Sequence, residues 1–262
     1  MKRGQDNIIL SIQASHVPYV FLAGWLPLIS AEDLSRKTYI NIHGSILPKY
    51  RGIHSIFWMI MNGEEYLGYT VYKVNEFVDD GDIIYQYKFP YVDYTISEVH
   101  NIFYQDIEKN LTKAVYDYIH GSLAPVKQDF SCATWVPKRN LDDCLIDFNM
   151  PNKLLRRFFL ALTPPYPLPR LIHKNIVYEI IESSIIDADY YCQTGRAVNS
   201  DSTGVYIKTK DGLLIVRKIR STASKETVDA NMIIRSGYRF NSKTKTNFAS
   251  NEYSKSYTGG GV

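Results

Sequence analysis

NIHGSILPKYRG, at residues 41–52, is the stretch of this chain that decides its fold and its chemistry. The apolar run that enters it predicts a strand over 39–43, which delivers an amide, Asn41, and an imidazole, His43, at its end. A loop punctuated by proline and glycine follows, and VDDGDI at residues 78–83 later brings carboxylates to a glycine turn. An amide, an imidazole and a carboxylate can together carry out acyl transfer to an amine, because the amine is itself the nucleophile.

Short apolar runs and helix signals alternate on both sides of this stretch. Ser30 followed by acidic residues is typical of a helix start. Thr95 and Glu98 form a capping box ahead of a long amphipathic helix that ends at Gly121. This alternation favours an α/β sheet, in which ligands bind at the strand ends. The predicted elements are strands over 19–24, 39–43, 69–74 and 82–89, and helices after Ser30, over 53–61 and after Thr95.

A second region with a different pattern starts near Met150. A helix is predicted over 153–162, and the run TPPYP at 163–167 breaks it. Short strand-like runs separated by turn signals such as Asp211-Gly212 predict a small β-barrel or sandwich. Beyond Phe240 the chain is rich in Ser, Lys, Thr, Asn and Gly, which predicts a disordered tail. The predicted divisions are therefore a catalytic domain over 1–149, a β-rich domain over 150–240 and a tail over 241–262.

Composition excludes several classes of protein. The 262 residues allow one large or two modest domains, and the 45% apolar fraction is enough for buried cores. A net charge of +3 does not indicate a broad nucleic-acid surface. Cys132, Cys144 and Cys192 form no CxxC pair, so we expect reduced thiols in the cytoplasm and neither a disulfide framework nor a metal site. The apolar run 19–29 is too short to span a membrane, and no targeting segment is predicted.

The ordered set of motifs resembles the folate-dependent formyltransferases. In that family an N-x-H pair leads an HxSLLPxxxG loop, and a later D-x-G carries the acid; here Ile46 replaces the first Leu of the loop. The resemblance continues through ATWVPKR at 133–139 and IDF at 146–148, and it covers most of residues 20–240. It implies an α/β, Rossmann-like catalytic sheet followed by a small OB-like β-barrel domain.

One departure from the family concerns the amino-terminal side. The family has further strand–helix units ahead of the strand that matches Tyr19–Gly24, and one such unit takes about 30 residues. We therefore expect an amino-terminally shortened sheet with an open edge. Either the chain is a fragment, or a partner covers that edge.

The resemblance also implies roles for the residues of the site. Asn41 would donate a hydrogen bond to the oxyanion, His43 would donate a second one or shuttle the proton, and Asp79 would take the proton of the amine. The formyl donor would be 10-formyltetrahydrofolate, with no metal. Without the family register a histidine at a strand end is more often structural, and the residues alone do not choose among Asp79, Asp80 and Asp82.

Two sets of binding residues follow from the same resemblance, which further implies a cis Leu47–Pro48 bond. The folate-pocket set has an ordinary strand-to-helix connection as its alternative interpretation. The acceptor set has loop shaping, helix capping and simple solvation as alternatives. The folate-binding candidates are Gly24, Trp25, Leu26, Pro27, Leu28, Val78 and Gly81, and the acceptor-binding candidates are Ser45, Lys49, Arg51 and His54.

The resemblance leaves the acceptor open. Our first choice is a nucleotide-linked aminosugar of surface polysaccharide synthesis, because RGIHSIFW at 51–58 and the two-domain plan resemble the sugar N-formyltransferases. Methionyl-tRNA is the alternative, although only Arg36-Lys37 stands where a basic insertion is expected. A glycinamide ribonucleotide enzyme lacks the second domain, and a formyl-folate hydrolase would use water as the acceptor.

Hypotheses of other classes also stay open. A truncated paralogue could bind folate or a partner without turnover. Nucleic-acid binding through the OB-like region rests on fold analogy alone. A homodimer through either domain is compatible with the sequence, and a tRNA partner belongs only to the second hypothesis for the acceptor.

Overall fold

The first part of the chain is built on a four-stranded mixed sheet. The computed structural model describes residues 8, 10–24 and 28–240. The sheet order is β1-β2-β4-β5, with β1 parallel to β2 and the other neighbours antiparallel. Among the described residues β1 therefore lies at an edge of the sheet, as expected. The strands are β1 (Tyr19–Ala23), β2 (Thr38–His43), β3 (Arg51–Gly52), β4 (Tyr66–Lys73), β5 (Ile83–Pro90) and β6 (Trp135–Val136), with β3 and β6 forming a small sheet of their own.

Two helices of this part begin at the predicted caps. The Ser30 side chain accepts a hydrogen bond from the Asp33 amide, and Thr95 and Glu98 form the capping box. The last helix is interrupted by a π-helical turn, which the sequence pattern did not predict. After β1 the helices are α1 (Ala31–Arg36), α2 (Ser55–Asn62), α3 (Ile96–Asp106) and α4 (Thr112–Ile119), with the π turn at Ile107–Leu111 and short 3-10 turns at Phe130–Cys132 and Leu141–Cys144.

The second part is an antiparallel sheet with a helix on either side of it in sequence. The sheet order is β7-β8-β11-β10-β9, and β12 pairs with the carboxyl-terminal half of β11. Among the described residues no ladder joins β7 to β9, so the expected β-barrel is not closed by strand pairing. The elements are α5 (Asn152–Ala161), β7 (Arg170–His173), β8 (Ile176–Asp187), β9 (Ala197–Asp201), β10 (Gly204–Lys208), β11 (Gly212–Ser221), β12 (Thr227–Asp229) and α6 (Ala230–Ile233).

A continuous core joins the two parts. The buried face of α5, which includes Leu155 and Phe158, packs in the same cluster as Phe57 and Ile60 of α2. Because α5 contacts both α2 and β8, the loop that carries the site motif is braced by the second part of the chain. The exact boundary near residue 150 stays a prediction, and the tail over 241–262 lies outside the described residues.

Within the described ranges, no helix is long and apolar enough to cross a bilayer.

Candidate active site

The predicted catalytic residues meet at the carboxyl end of β2. Asn41 and His43 are two residues apart on this strand, so they share one face of the sheet. Both are buried, with about a tenth or less of their surface exposed. The His43 Nδ1 lies 3.5 Å from the Asp79 Oδ2, so the structure brings the imidazole and the carboxylate together over a sequence distance of 36 residues.

Asp79 is held on both of its carboxylate oxygens. Its Oδ2 accepts the backbone N–H of Gly52 at 2.8 Å, and its Oδ1 accepts the Tyr72 hydroxyl at 2.7 Å. The residue has a φ of 50°, in the left-handed region that is uncommon for a side-chain-bearing residue. The following turn requires glycine, because a Cβ at Gly81 would overlap the Lys73 carbonyl oxygen. Asp80 and Asp82 do not contact His43 in this arrangement.

His43 uses both of its ring nitrogens inside the protein. Its Nε2 lies 2.8 Å from the Tyr50 carbonyl oxygen, which can only accept, so Nε2 carries the hydrogen. Its Nδ1 faces Asp79. No ring nitrogen is therefore left to donate to an oxyanion, which limits His43 to supporting the carboxylate or holding a proton.

Tyr72 is the residue of this cluster that sequence reasoning missed. The Asn41 Nδ2 donates to the Tyr72 hydroxyl at 2.9 Å, and that hydroxyl in turn donates to Asp79. Burial and the Asp79 charge raise the pKa of the Tyr72 phenol far above its usual range, so it stays protonated. The signal was its position directly opposite Asn41 on an antiparallel strand, which only the strand register reveals.

The buried Arg51 side chain is held by contacts inside the protein. Its side chain is 1% exposed and contacts Asp80 at 2.5 Å, and its Nη2 donates to the Gln128 Oε1 at 2.7 Å. The guanidinium lies 5.2 Å from the Phe130 ring centre and 5.4 Å from that of Trp135. Because the guanidinium already contacts Asp80, Gln128 and two aromatic rings, this geometry favours a structural role over the predicted contact with an acceptor phosphate.

The other acceptor-binding candidates differ in what they offer. Ser45 is fully buried, and its hydroxyl donates to the backbone oxygen of Lys49 at 2.7 Å, so it shapes the loop. Lys49 itself is exposed. His54 starts α2 with a φ of 65°, and its Nδ1 accepts the Arg139 backbone N–H at 3.0 Å. Burial, followed by the Arg139 charge and that of Lys138, lowers the pKa of His54 to about 4.

The folate-binding candidates lie in two segments, one before Asn41 and His43 in the sequence and one after them. Gly24 has a φ of 65°, Leu28 is 63% exposed and Val78 is 47% exposed. The neighbouring Phe77, which we did not predict, is exposed as well. The Leu47–Pro48 bond is cis, as the resemblance implied. Three of the candidates lie outside the described residues: Trp25, Leu26 and Pro27.

Within the described ranges no group of three or more His, Cys, Asp or Glu side chains could hold a metal ion. The three cysteines are free thiols there, with Cys144 buried and Cys132 exposed.

Comparison with known families decides how this site is classified. Residues 2–115 match the family described as Formyl transferase, and residues 139–237 match Formyl transferase, C-terminal domain. The chain belongs to the folate-dependent formyltransferase family. The two formyltransferase segments coincide with the sheet that carries Asn41 and with the sheet that follows α5.

Relatives of this chain fall into more than one branch of the family. The methionyl-tRNA formyltransferase of Clostridium tetani is 28% identical over 210 residues, which are 79% of this chain and 67% of that relative. HypX from Aquifex aeolicus, solved with tetrahydrofolic acid, has a TM-score of 0.67 at 17% identity over 87% of this chain and 40% of its own. The N-formyltransferase from Helicobacter canadensis, solved with folinic acid and dTDP-3-aminofucose, has a TM-score of 0.57 at 20% identity over 75% of this chain and 71% of its own.

These comparisons differ in what they establish. At identities of 17% and 20%, likeness to the solved structures shows the shared fold. The chain spans about two thirds of the Clostridium tetani relative and two fifths of HypX.

Proposed function

We propose that this chain transfers the formyl group of 10-formyltetrahydrofolate to the primary amine of a nucleotide-linked aminosugar. The observation that carries the chemistry is the cluster of the buried Asn41 and His43 with the partly buried Asp79 at the end of β2. An amide donor, an imidazole and a carboxylate are what transfer to an amine requires, since the substrate supplies the nucleophile.

In the proposed reaction the amine nitrogen attacks the formyl carbon, and the carbonyl oxygen becomes an oxyanion. Asn41 gives one Nδ2 hydrogen to Tyr72 and keeps the second for the oxyanion. One such donor lowers a barrier by about 3 kcal/mol. Asp79 accepts the proton that the amine loses, directly or through one water. The bond between the formyl carbon and N10 of the folate then breaks, N10 takes up a proton, and tetrahydrofolate leaves.

His43 acts through Asp79 in this proposal. When protonated, the imidazole lies beside the Asp79 carboxylate and stabilises its negative charge in a buried site. Its opposite nitrogen stays on the Tyr50 carbonyl oxygen, which fixes the orientation of the ring. The role of His43 is therefore to hold the Asp79 carboxylate in position to take the amine proton.

The formyl donor is proposed to lie beside Gly24, Leu28 and the turn from Val78 to Gly81. Leu28 and Val78 present apolar side chains to solvent, which suits a flat pterin ring. The Asn41 Oδ1 is buried without a hydrogen-bond partner among the described residues, and an N–H of a bound reactant would satisfy it. Folinic acid in the Helicobacter canadensis neighbour supports a folate as donor.

The acceptor is proposed from two observations. The Helicobacter canadensis neighbour was solved with dTDP-3-aminofucose, a nucleotide-linked aminosugar. Lys49 is exposed on the loop that follows His43, where a substrate phosphate could meet it. Methionyl-tRNA is the alternative acceptor, and the 28% identity to the Clostridium tetani enzyme favours it.

The test is release of tetrahydrofolate from 10-formyltetrahydrofolate with a panel of nucleotide-linked aminosugars and with methionyl-tRNA. Turnover with an aminosugar, lost in Asn41→Ala, supports the proposal. Turnover with methionyl-tRNA alone replaces the acceptor by the alternative. A folded protein that binds 5-formyltetrahydrofolate without any turnover would instead identify a non-catalytic folate-binding protein.

A further inference from the structure

The Tyr72 hydroxyl lies between two of the three catalytic candidates. It accepts from the Asn41 Nδ2 at 2.9 Å and donates to the Asp79 Oδ1 at 2.7 Å. The side chain is only 3% exposed. Losing either hydrogen bond would therefore cost free energy, because solvent does not reach the group to replace it. The oxyanion donor and the base are thus joined by one phenol.

The direction of these bonds orients the Asn41 amide. A phenol has one hydrogen, and Tyr72 gives it to the carboxylate of Asp79. Its oxygen can then only accept from Asn41, so the amide NH₂ side must face Tyr72. An amide turned by 180° would place two acceptor oxygens against each other.

The backbone aims Tyr72 at this position. It stands directly opposite Asn41 in the antiparallel ladder of β2 and β4. On its other side the register of β4 with β5 shifts between Val71 and Tyr72. Such irregularities re-aim side chains next to functional sites.

We propose that Tyr72 is a positioning residue for formyl transfer, which holds the Asn41 amide and the Asp79 carboxylate in their reacting geometry. The inference rests on the function proposed above. Tyr72 does not touch the reacting atoms in this scheme; it acts through its two neighbours.

The chain offers a matched control on the same strand. The Tyr69 hydroxyl donates to the Asp106 Oδ2 at 2.7 Å, and Tyr69 is 1% exposed. It lies three residues from Tyr72 and therefore on the opposite face of β4. Tyr69→Phe and Tyr72→Phe each remove one buried phenol–carboxylate hydrogen bond, and only the second bond lies in the candidate site.

The experiment measures steady-state formyl transfer and urea unfolding for wild type and both variants. We expect both variants to lose stability, and Tyr72→Phe to lose more, because it also removes the bond from Asn41. For Tyr72→Phe, kcat should fall roughly tenfold or more with the KM for 10-formyltetrahydrofolate within about twofold, because sub-ångström misplacement acts on the reacting geometry. Tyr69→Phe should keep the wild-type kcat.

A double variant tests whether Tyr72 acts on the rate through Asn41. If Tyr72 acts through Asn41, adding Tyr72→Phe to Asn41→Ala should cost less in kcat than it costs the wild type. An active wild type with an equally active Tyr72→Phe variant would overturn this inference alone. A wild type that transfers no formyl group to any acceptor would overturn the proposed function, and this inference with it.

Discussion

Replacing Arg51 by methionine is expected to destabilise the protein without acting primarily on substrate affinity. The substitution removes the partner of Asp80 and the donor to Gln128, while a flexible apolar chain still packs against the rings of Phe130 and Trp135. Breaking a buried pair by removing one partner costs about 3–5 kcal/mol. Asp80 is 23% exposed and regains some hydration, so we expect about 3 kcal/mol, at the lower end of that range.

The assay is urea and thermal unfolding, with Lys49→Met as the matched control. Lys49 is exposed two residues earlier on the same loop, and its loss should change the free energy of unfolding by less than about 0.5 kcal/mol. For a chain of this size, about 3 kcal/mol corresponds to a drop in Tm of roughly 6–12 °C. Asp80→Asn should lower the free energy of unfolding less in the Arg51→Met background than in the wild type, since the two residues form one ion pair.

One result would refute the reasoning about Arg51. If Arg51→Met unfolds like the wild type while the KM for the acceptor rises, the guanidinium is available to the substrate. The residue would then return to the phosphate-binding role that the sequence suggested.

Two further predictions concern the backbone and the pH dependence. Gly81→Ala should abolish activity and give little folded protein, as judged by expression and circular dichroism, because its Cβ overlaps the Lys73 carbonyl oxygen; a fully active variant would contradict the turn described here. Burial lowers the pKa of His54 to about 4, below its unfolded value, so the folded state binds fewer protons and stability is lost as the pH falls from about 6.5 towards 4. His54→Asn keeps an acceptor for the Arg139 amide and should remove up to about 2 kcal/mol of that loss, after allowance for partial exposure; an unchanged pH dependence of urea unfolding would count against it.

Much of the site was predictable because its residues lie in one short stretch with strict local requirements. Asn41 and His43 share a strand, so a spacing of two already places them on one face. The capping residues Ser30 and Thr95 were likewise readable, because a cap is a local hydrogen bond between neighbours in the chain. The choice of Asp79 over its two neighbours required the family register.

The remainder depends on contacts between distant residues. Tyr72 is one of 21 tyrosines, and only the pairing of β2 with β4 sets it against Asn41. Arg51 looks like a surface cation in sequence, yet Gln128 and two aromatic rings enclose it from a segment about 80 residues away. The strand pattern left a barrel or a sandwich open, and the family resemblance implied the barrel. The number of short strands does not specify whether the last strand pairs with the first.

The measurement that tests the central claim most directly is the single-turnover rate of formyl transfer in Asp79→Asn beside Asp82→Asn. Both changes replace one carboxylate of the same turn by an amide of the same shape, but only Asp79 lies in the cluster with His43 and Tyr72. The account predicts that Asp79→Asn loses at least about a hundredfold in rate while Asp82→Asn stays within a few-fold of the wild type. Equal rates in the two folded variants, or a loss confined to Asp82→Asn, would contradict it.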